Sequence, residues 1–193
     1  MKHIIVGTNR PKSRTLQVAL SVQKIFSEIG EPCQMIRLDQ VAIDQVNGTQ
    51  YGDGVRPPEL VKAIGEVDSS DGLIFVVPEY NGSFPGVLKY FIDHWSYPRS
   101  FEFRPMAFVG LGFKWGGLRP VEQLQQVMGY RNAYMYPERV FVQNIGEALT
   151  EQGGLTQFYH DLLLLQAKGF CKFIKALKSQ GLDANSILQA KIK

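Results

Sequence analysis

The stretch Leu73-Ile74-Phe75-Val76-Val77-Pro78-Glu79-Tyr80-Asn81-Gly82-Ser83-Phe84-Pro85-Gly86 joins an unbroken apolar run to a dense set of turn residues, and then to a proline suited to a first helical turn. A strand without polar alternation is covered on both faces. Such a strand, leading through a turn into a helix, is half of a β-α-β unit. The stretch therefore predicts a parallel sheet with residues 73–77 at its centre.

The same alternation recurs on either side. Short apolar, β-branched segments predict strands over residues 3–6, 34–38, 106–111 and 139–142, making five with 73–77. Between and after them, helical periodicity appears at 15–29, 58–67, 85–95, 118–128 and 155–177. Gly30 is a natural stop for the first helix. The fold class is α/β, with helices on both faces of the sheet. Residues 41–58 are rich in Gly, Asn and Asp and read as a long loop, and the polar stretch after Gly181 reads as a loosely held tail. At 193 residues and 45% apolar composition, one core fills the chain, so a single domain over 1–180 with a tail over 181–193 is expected.

Composition removes several classes of function. The net charge of +3 comes from cations scattered among acids, which argues against a nucleic-acid partner. Local charge says more: no acid precedes Glu28, whereas Lys2, Arg10, Lys12, Arg14 and Lys24 all do, a distribution that attracts a small anion. Cys33 and Cys171 have no metal-ligand spacing and read as reduced thiols. The start Met-Lys-His runs into a strand without the apolar core of a signal peptide, and no apolar run is long enough to span a bilayer; a cytoplasmic protein with no membrane partner is expected. Asn47-Gly48-Thr49 and Asn81-Gly82-Ser83 match the glycosylation sequon but read as turns. His3, His94 and His160 are isolated, so no metal site is expected, with His94 a weak candidate for the surroundings of a ligand ring.

Ligands of open parallel sheets bind beyond the carboxyl ends of the strands. After the first strand comes Gly7-Thr8-Asn9-Arg10-Pro11-Lys12-Ser13-Arg14-Thr15. Two readings fit it. One is a phosphate cradle, in which free amides at a helix start, hydroxyls and Arg10 meet an anion. The other is a basic surface loop with Ser13 or Thr15 as the helix cap. Neither the P-loop ending nor the GxGxxG fingerprint is present, which disfavours a nucleoside triphosphate. After the third strand, Asn-Gly and Pro-Gly turns bring backbone amides within reach of a flat heteroaromatic ring, with Tyr80 and Phe84 available to its face. After the fourth comes Gly110-Leu111-Gly112-Phe113-Lys114-Trp115-Gly116-Gly117-Leu118-Arg119, where glycines permit close approach. Trp115 either covers a ligand or anchors a subunit interface.

With these residues in view, the chain resembles the NADPH-dependent FMN reductase family, flavodoxin-like flavoproteins that include quinone, azo-dye and chromate reductases. Residues 78–89, followed by Asp93 and Trp95, are similar to the family's Pro-Glu-Tyr-Asn signature, and Gly7-Thr8-x-Arg10-x-x-Ser13-x-Thr15 is similar to its phosphate loop. The resemblance implies a three-layer flavodoxin-like fold with strand order 2-1-3-4-5. It implies that Arg10, Ser13 and Thr15 hold the FMN phosphate with Thr8 nearby, and that Pro78, Glu79, Tyr80, Asn81, Gly82 and Ser83 line the isoalloxazine and ribityl chain. It also implies that Gly112, Lys114, Trp115 and Gly116 border the ring. One departure stands out: Leu111-Gly112-Phe113 replaces the family's usual Ser-Gly-Gly, losing a hydroxyl and a glycine.

The implied activity is transfer of hydride from NADPH or NADH through FMN to a quinone-like or other small acceptor, the flavin rather than a side chain carrying the chemistry. Arg14, Lys114 and Arg119 are the cations available to a 2′-phosphate. A flavodoxin-like electron carrier or redox-responsive flavin-binding protein without intrinsic nicotinamide activity is the alternative, although carriers of that sort tend to be acidic. A glycosyl-transfer role for Glu79 lacks the second carboxylate that sugar chemistry usually needs. The aromatic set Phe91, Trp95, Tyr97, Phe101 and Phe103 exceeds the needs of one helix face. With the resemblance, it predicts a homodimer or homotetramer.

Overall fold

The computed structural model describes residues 1–46, 48–50 and 54–192. In chain order the elements are β1 (Lys2–Val6), α1 (Arg14–Glu28), β2 (Cys33–Arg37), α2 (Pro58–Ser69), β3 (Gly72–Pro78), α3 (Gly86–Asp93), β4 (Pro105–Leu111), α4 (Leu118–Gly129), β5 (Tyr134–Val142), α5 (Ile145–Ala148), α6 (Gln157–Ser179) and α7 (Ala184–Ile192). The five strands form one parallel sheet in the order β2-β1-β3-β4-β5. The central strand is β3, buried at every position, as its continuous apolar character requires.

Alternation along the strands divides the interior into two cores. Ile4, Ile74, Val76 and Val109 face Val18, Val22, Phe26, Phe170 and Ile174 of α1 and α6. Ile5, Phe75, Val77 and Phe108 face Leu60, Val67, Leu88, Phe91, Val121 and Leu124 of α2, α3 and α4. The winding thus changes face after the first β-α unit, opening a crevice between the ends of β1 and β3. The β4–β5 register slips between Met106 and Phe108. There the buried Gln166 amide of α6 donates to Phe108 O and Glu138 O, each at 2.9 Å.

Four features differ from expectation or extend it. Strand β5 begins at Tyr134, earlier than residue 139, because an edge strand tolerates Pro137 and the exposed Glu138, which break the apolar pattern in sequence. The stretch after Gly181 leads into α7, whose start is anchored by the buried Asp183, accepting from Asn185 N at 3.1 Å and Ser186 N at 3.2 Å. Asp183 ahead of Ala184 was a capping signal available in the sequence. Within residues 41–58, Val41, Ile43 and Val46 enter the second core; Asn47, the acceptor of the first turn-like sequon, lies outside the described residues. Finally, Phe91 and Trp95 are core groups, meeting edge to face at 5.8 Å, so most of the aromatic excess fills the interior and only Tyr97, 63% exposed, stands well out.

Opposite the crevice, the guanidinium of the fully buried Arg104 donates to the carbonyls of Ser100 and Asp68 at 3.0 Å, of Arg99 at 3.1 Å, and of Ser70. Burial pulls its pKa down to about 10 despite nearby Asp68. His3, also buried, places Nδ1 3.1 Å from Ser70 Oγ, and desolvation lowers its pKa.

Candidate functional site

The loop after β1 leaves the sheet against β3. Gly7 N donates to Val76 O at 2.9 Å, and a Cβ on Gly7 would stand 3.0 Å from that same oxygen. Thr8 is buried beneath the loop, its Oγ1 accepting from Arg10 N at 3.2 Å and lying 3.1 Å from the Tyr80 hydroxyl. The chain enters α1 through Ser13, whose Oγ accepts from Leu16 N at 3.1 Å. Ser13 is therefore the helix cap, with its hydroxyl hydrogen still available. The amides of Arg14 and Thr15, at the first helical positions, have no intrahelical acceptor.

The loop after β3 is a tight hairpin. Asn81 and Gly82 both have positive φ, 51° and 78°, while Tyr80 and Ser83 exchange backbone bonds at 2.8 and 3.1 Å. These are the requirements of a type I′ turn, and Asn-Gly meets them with least strain. Glu79 N donates to Leu111 O at 3.0 Å, binding this loop to the end of β4. Ser83 Oγ is taken up by Gln123 Oε1 at 2.5 Å.

The glycines after β4 fold back onto the strand. Gly116 and Gly117 have φ of 59° and 79°, and a Cβ on Gly110 would stand 2.7 Å from Gly116 O. The loop is tied to the end of β5, since Gly112 N donates to Val142 O at 3.2 Å and Asn144 N to Phe113 O at 2.8 Å.

The three loops meet at one cleft of about 560 Å³, inside the range of roughly 300–1,000 Å³ typical of small-molecule sites. Arg10, Ser13, Thr15, Pro78, Glu79, Tyr80 and Gly112 line it. Lys12, Arg14, Gln17, Leu111, Phe113 and Ile145 complete the wall; of these only Arg14 was expected near a ligand, as a cation for a 2′-phosphate. Ile145 belongs to the segment after β5, whose approach to the first loop nothing in the sequence announces. Thr8 supports the cleft from below. Asn81, Gly82 and Ser83 form the adjoining turn without lining it, and Lys114, Trp115 and Gly116 also lie outside its wall. Lys114 Nζ sits 5.0 Å from the centroid of the Trp115 ring.

Charge is graded across the cleft. Arg10, Lys12 and Arg14 gather at the α1 end, and the one carboxylate on the wall among the described residues, Glu79, has its Oε1 3.9 Å from Arg119 Nη1. A single, cation-paired carboxylate does not suit two-acid sugar chemistry. His94 is far from this role: it is buried, with Nδ1 2.8 Å from Tyr90 O and Nε2 3.1 Å from Thr49 Oγ1. His160 lies 3.5 Å from Glu28 on the helical face. Both thiols are buried, and burial raises their pKa, that of Cys33 to about 12.

A phosphorylated flat ring fits these residues. Free amides at a fifteen-residue helix start, hydroxyls and cations crowd one end, and backbone brought close by glycine turns lies with Pro78 and Tyr80 along the rest. Sheet order, winding and crevice define a flavodoxin-like α/β protein. The chain belongs to the NADPH-dependent FMN reductase family, whose model matches residues 3–147.

It is 34% identical over 91 residues to an FMN reductase (NADPH) of Pseudomonas aeruginosa, covering 45% of this chain and 46% of the relative. It is 32% identical over 96 residues to a quinone reductase of Pseudomonas putida, 49% of each chain. These matches thus span about half the length of the curated relatives. Among solved structures, the flavoenzyme FerB, an NAD(P)H:(acceptor) oxidoreductase of Paracoccus denitrificans, has the same fold at a TM-score of 0.71 and 21% identity, with 91% of this chain and 97% of that one covered. An oxidoreductase of Corynebacterium diphtheriae superposes with a TM-score of 0.69 at 19% identity, over 91% of this chain and 96% of that one.

Proposed function

We propose that this protein is an FMN-dependent NAD(P)H oxidoreductase that passes reducing equivalents to a quinone-like or other small acceptor. The observation that carries the reading is the meeting of the Arg10–Ser13–Thr15 end with Pro78, Tyr80 and Gly112 in one cleft at the carboxyl ends of the strands. Bound FMN supplies hydride acceptance and onward electron transfer. The protein's own residues bind and orient. Arg10 and the α1 amides meet the phosphate, with the Ser13 and Thr15 hydroxyls donating to its oxygens. The backbone of residues 78–83 meets the ring edge and ribityl chain, and Gly112, with Lys114, Trp115 and Gly116 beyond it, borders the ring. Glu79, held by Arg119, fixes the charge beside the rim.

The test is an FMN titration of the purified protein followed by NADPH oxidation with a quinone. A yellow protein with quinone-dependent turnover is expected. Failure to bind FMN sinks the reading, and binding without reduction by NADPH alone returns the electron-carrier alternative.

We further propose a cytoplasmic homodimer or homotetramer comprising one flavin-binding domain per chain. The buried free thiols suit a reducing compartment. An apolar cavity of about 350 Å³ between α3 and α4, flanked by the exposed Tyr97 and Tyr130, supports a subunit contact there. Among the described residues no helix is long and apolar enough to cross a membrane. Light scattering tests the assembly, and a clean monomer would refute it.

A further inference from the structure

Three large apolar side chains in the loops after β3 and β4 are exposed: Tyr80 by 38%, Trp115 by 51% and Phe113 by 81%. A single exposed apolar group is ordinary. Phe113 differs in how it is held. Its carbonyl accepts from Asn144 N at 2.8 Å; at the preceding residue, Gly112 N donates to Val142 O at 3.2 Å and Gly112 O accepts from Ile145 N at 3.1 Å. The backbone is pinned to the end of β5, and the phenyl ring is presented from that fixed point at the wall of the cleft. The following cation, Lys114, is engaged with the Trp115 ring. Phe113 is thus the aromatic group of the wall on the β4 side, as Tyr80 is on the β3 side, its hydroxyl held by Thr8.

We propose that Phe113 is a specificity-determining residue that stacks on the electron acceptor and selects flat, uncharged acceptors of the quinone class over compact, hydrated ones. The assignment rests on the function proposed above. A quinone carries no phosphate, so its affinity comes from ring-face contact and desolvation of its carbon skeleton. A nicotinamide dinucleotide also carries phosphates that the cations of the cleft can hold, so it loses a smaller share of its affinity with one ring contact. A compact, strongly hydrated anion such as ferricyanide gains nothing from a phenyl face. In the net exchange the reduced nicotinamide gives up a hydride, which is two electrons and one proton. The quinone takes two electrons and two protons to become the hydroquinone, the second proton coming from solvent. Phe113 makes and breaks no bond.

The experiment is a calorimetric titration of the oxidised FMN holoprotein with 1,4-naphthoquinone and no nicotinamide, so that no electrons flow. Phe113→Ala is expected to weaken naphthoquinone binding about fivefold to tenfold, and Phe113→Tyr to keep it within about twofold. In steady-state assays of Phe113→Ala, KM for naphthoquinone rises in parallel, while KM for ferricyanide and NADPH and the Kd of FMN stay within about twofold. Equal naphthoquinone affinity in parent and Phe113→Ala overturns the assignment, and so does an equal loss toward ferricyanide, which marks a general disturbance of the loop. A protein that takes up no FMN overturns the function proposed above and this assignment with it.

Discussion

The Tyr80 hydroxyl stands 3.1 Å from Thr8 Oγ1, linking the loop after β3 to the loop after β1 across 72 residues of chain. Thr8 Oγ1 also accepts the Arg10 amide at 3.2 Å, so one buried hydroxyl positions both a wall of the cleft and its first cation. Tyr80→Phe removes only the link and is expected to cost about 0.5–1.5 kcal/mol. Thr8→Val also strands the Arg10 amide and is expected to cost more, about 1–3 kcal/mol. Urea denaturation of both single variants and the double variant checks this; the double falls short of the sum because the two groups share one bond.

Arg10 sits at the basic end of the cleft, no acid among the described residues pairs with it, and its role depends on a dianionic ligand. Arg10→Ala is expected to raise the Kd of FMN about tenfold to a hundredfold, the loss of a charged hydrogen bond. Riboflavin, which lacks the phosphate, should bind parent and variant alike. Fluorescence quenching with both flavins makes the comparison, and an equal loss for the two removes Arg10 from the phosphate.

Gly110 and Gly65 predict opposite outcomes for the same substitution. A Cβ at Gly110 would meet Gly116 O at 2.7 Å and Gly117 O at 2.8 Å, both main-chain atoms that cannot turn aside. Gly110→Ala should therefore lower the melting temperature and weaken FMN binding together, as the loop after β4 is forced off the strand. Gly65, inside α2, meets nothing within 4 Å, and Gly65→Ala should stabilise by about 0.5–1 kcal/mol. Differential scanning calorimetry reads both.

Glu31 links the end of α1 to α6 and β1. Hydrogen bonds from Lys175 at 2.5 Å and Lys2 at 2.9 Å pull its pKa down to about 2. A carboxylate with a depressed folded pKa contributes stability that is fully present above its unfolded value, near 4.5, and is lost as pH falls through 2. The pair lies at the surface, so after solvent screening the contribution is about 1 kcal/mol. Glu31→Gln should be destabilised by that amount at pH 7 and differ less from the parent as pH falls below about 4, which denaturant midpoints across pH will show.

Much of this molecule is legible from local pattern, and the reasons can be read at particular residues. The run at residues 73–77 has no polar alternation, and only the middle of a doubly covered sheet accommodates that; it is the central strand. Asn81-Gly82 is one of the few residue pairs suited to two successive positive φ angles. Strand β5 was only half visible, because edge position rather than apolar content lets residues 134–138 pair. The burial of Phe91 and Trp95 was not legible, since sequence spacing does not reveal that Phe75 and Phe108 of the sheet, stacked at 5.4 Å, lie beside Trp95.

The sequence by itself determined the strand and helix alternation, the turn chemistry of the loops after β1, β3 and β4, and the excess of cations before the first acid, because each is a property of neighbours along the chain. Only the tertiary structure decided that these loops share a cleft, that Arg14, Phe113 and Ile145 join its wall, and that Ser83 turns to Gln123 instead. Those outcomes depend on the parallel register of strands tens of residues apart, and on where the winding changes face. No local pattern encodes that distance.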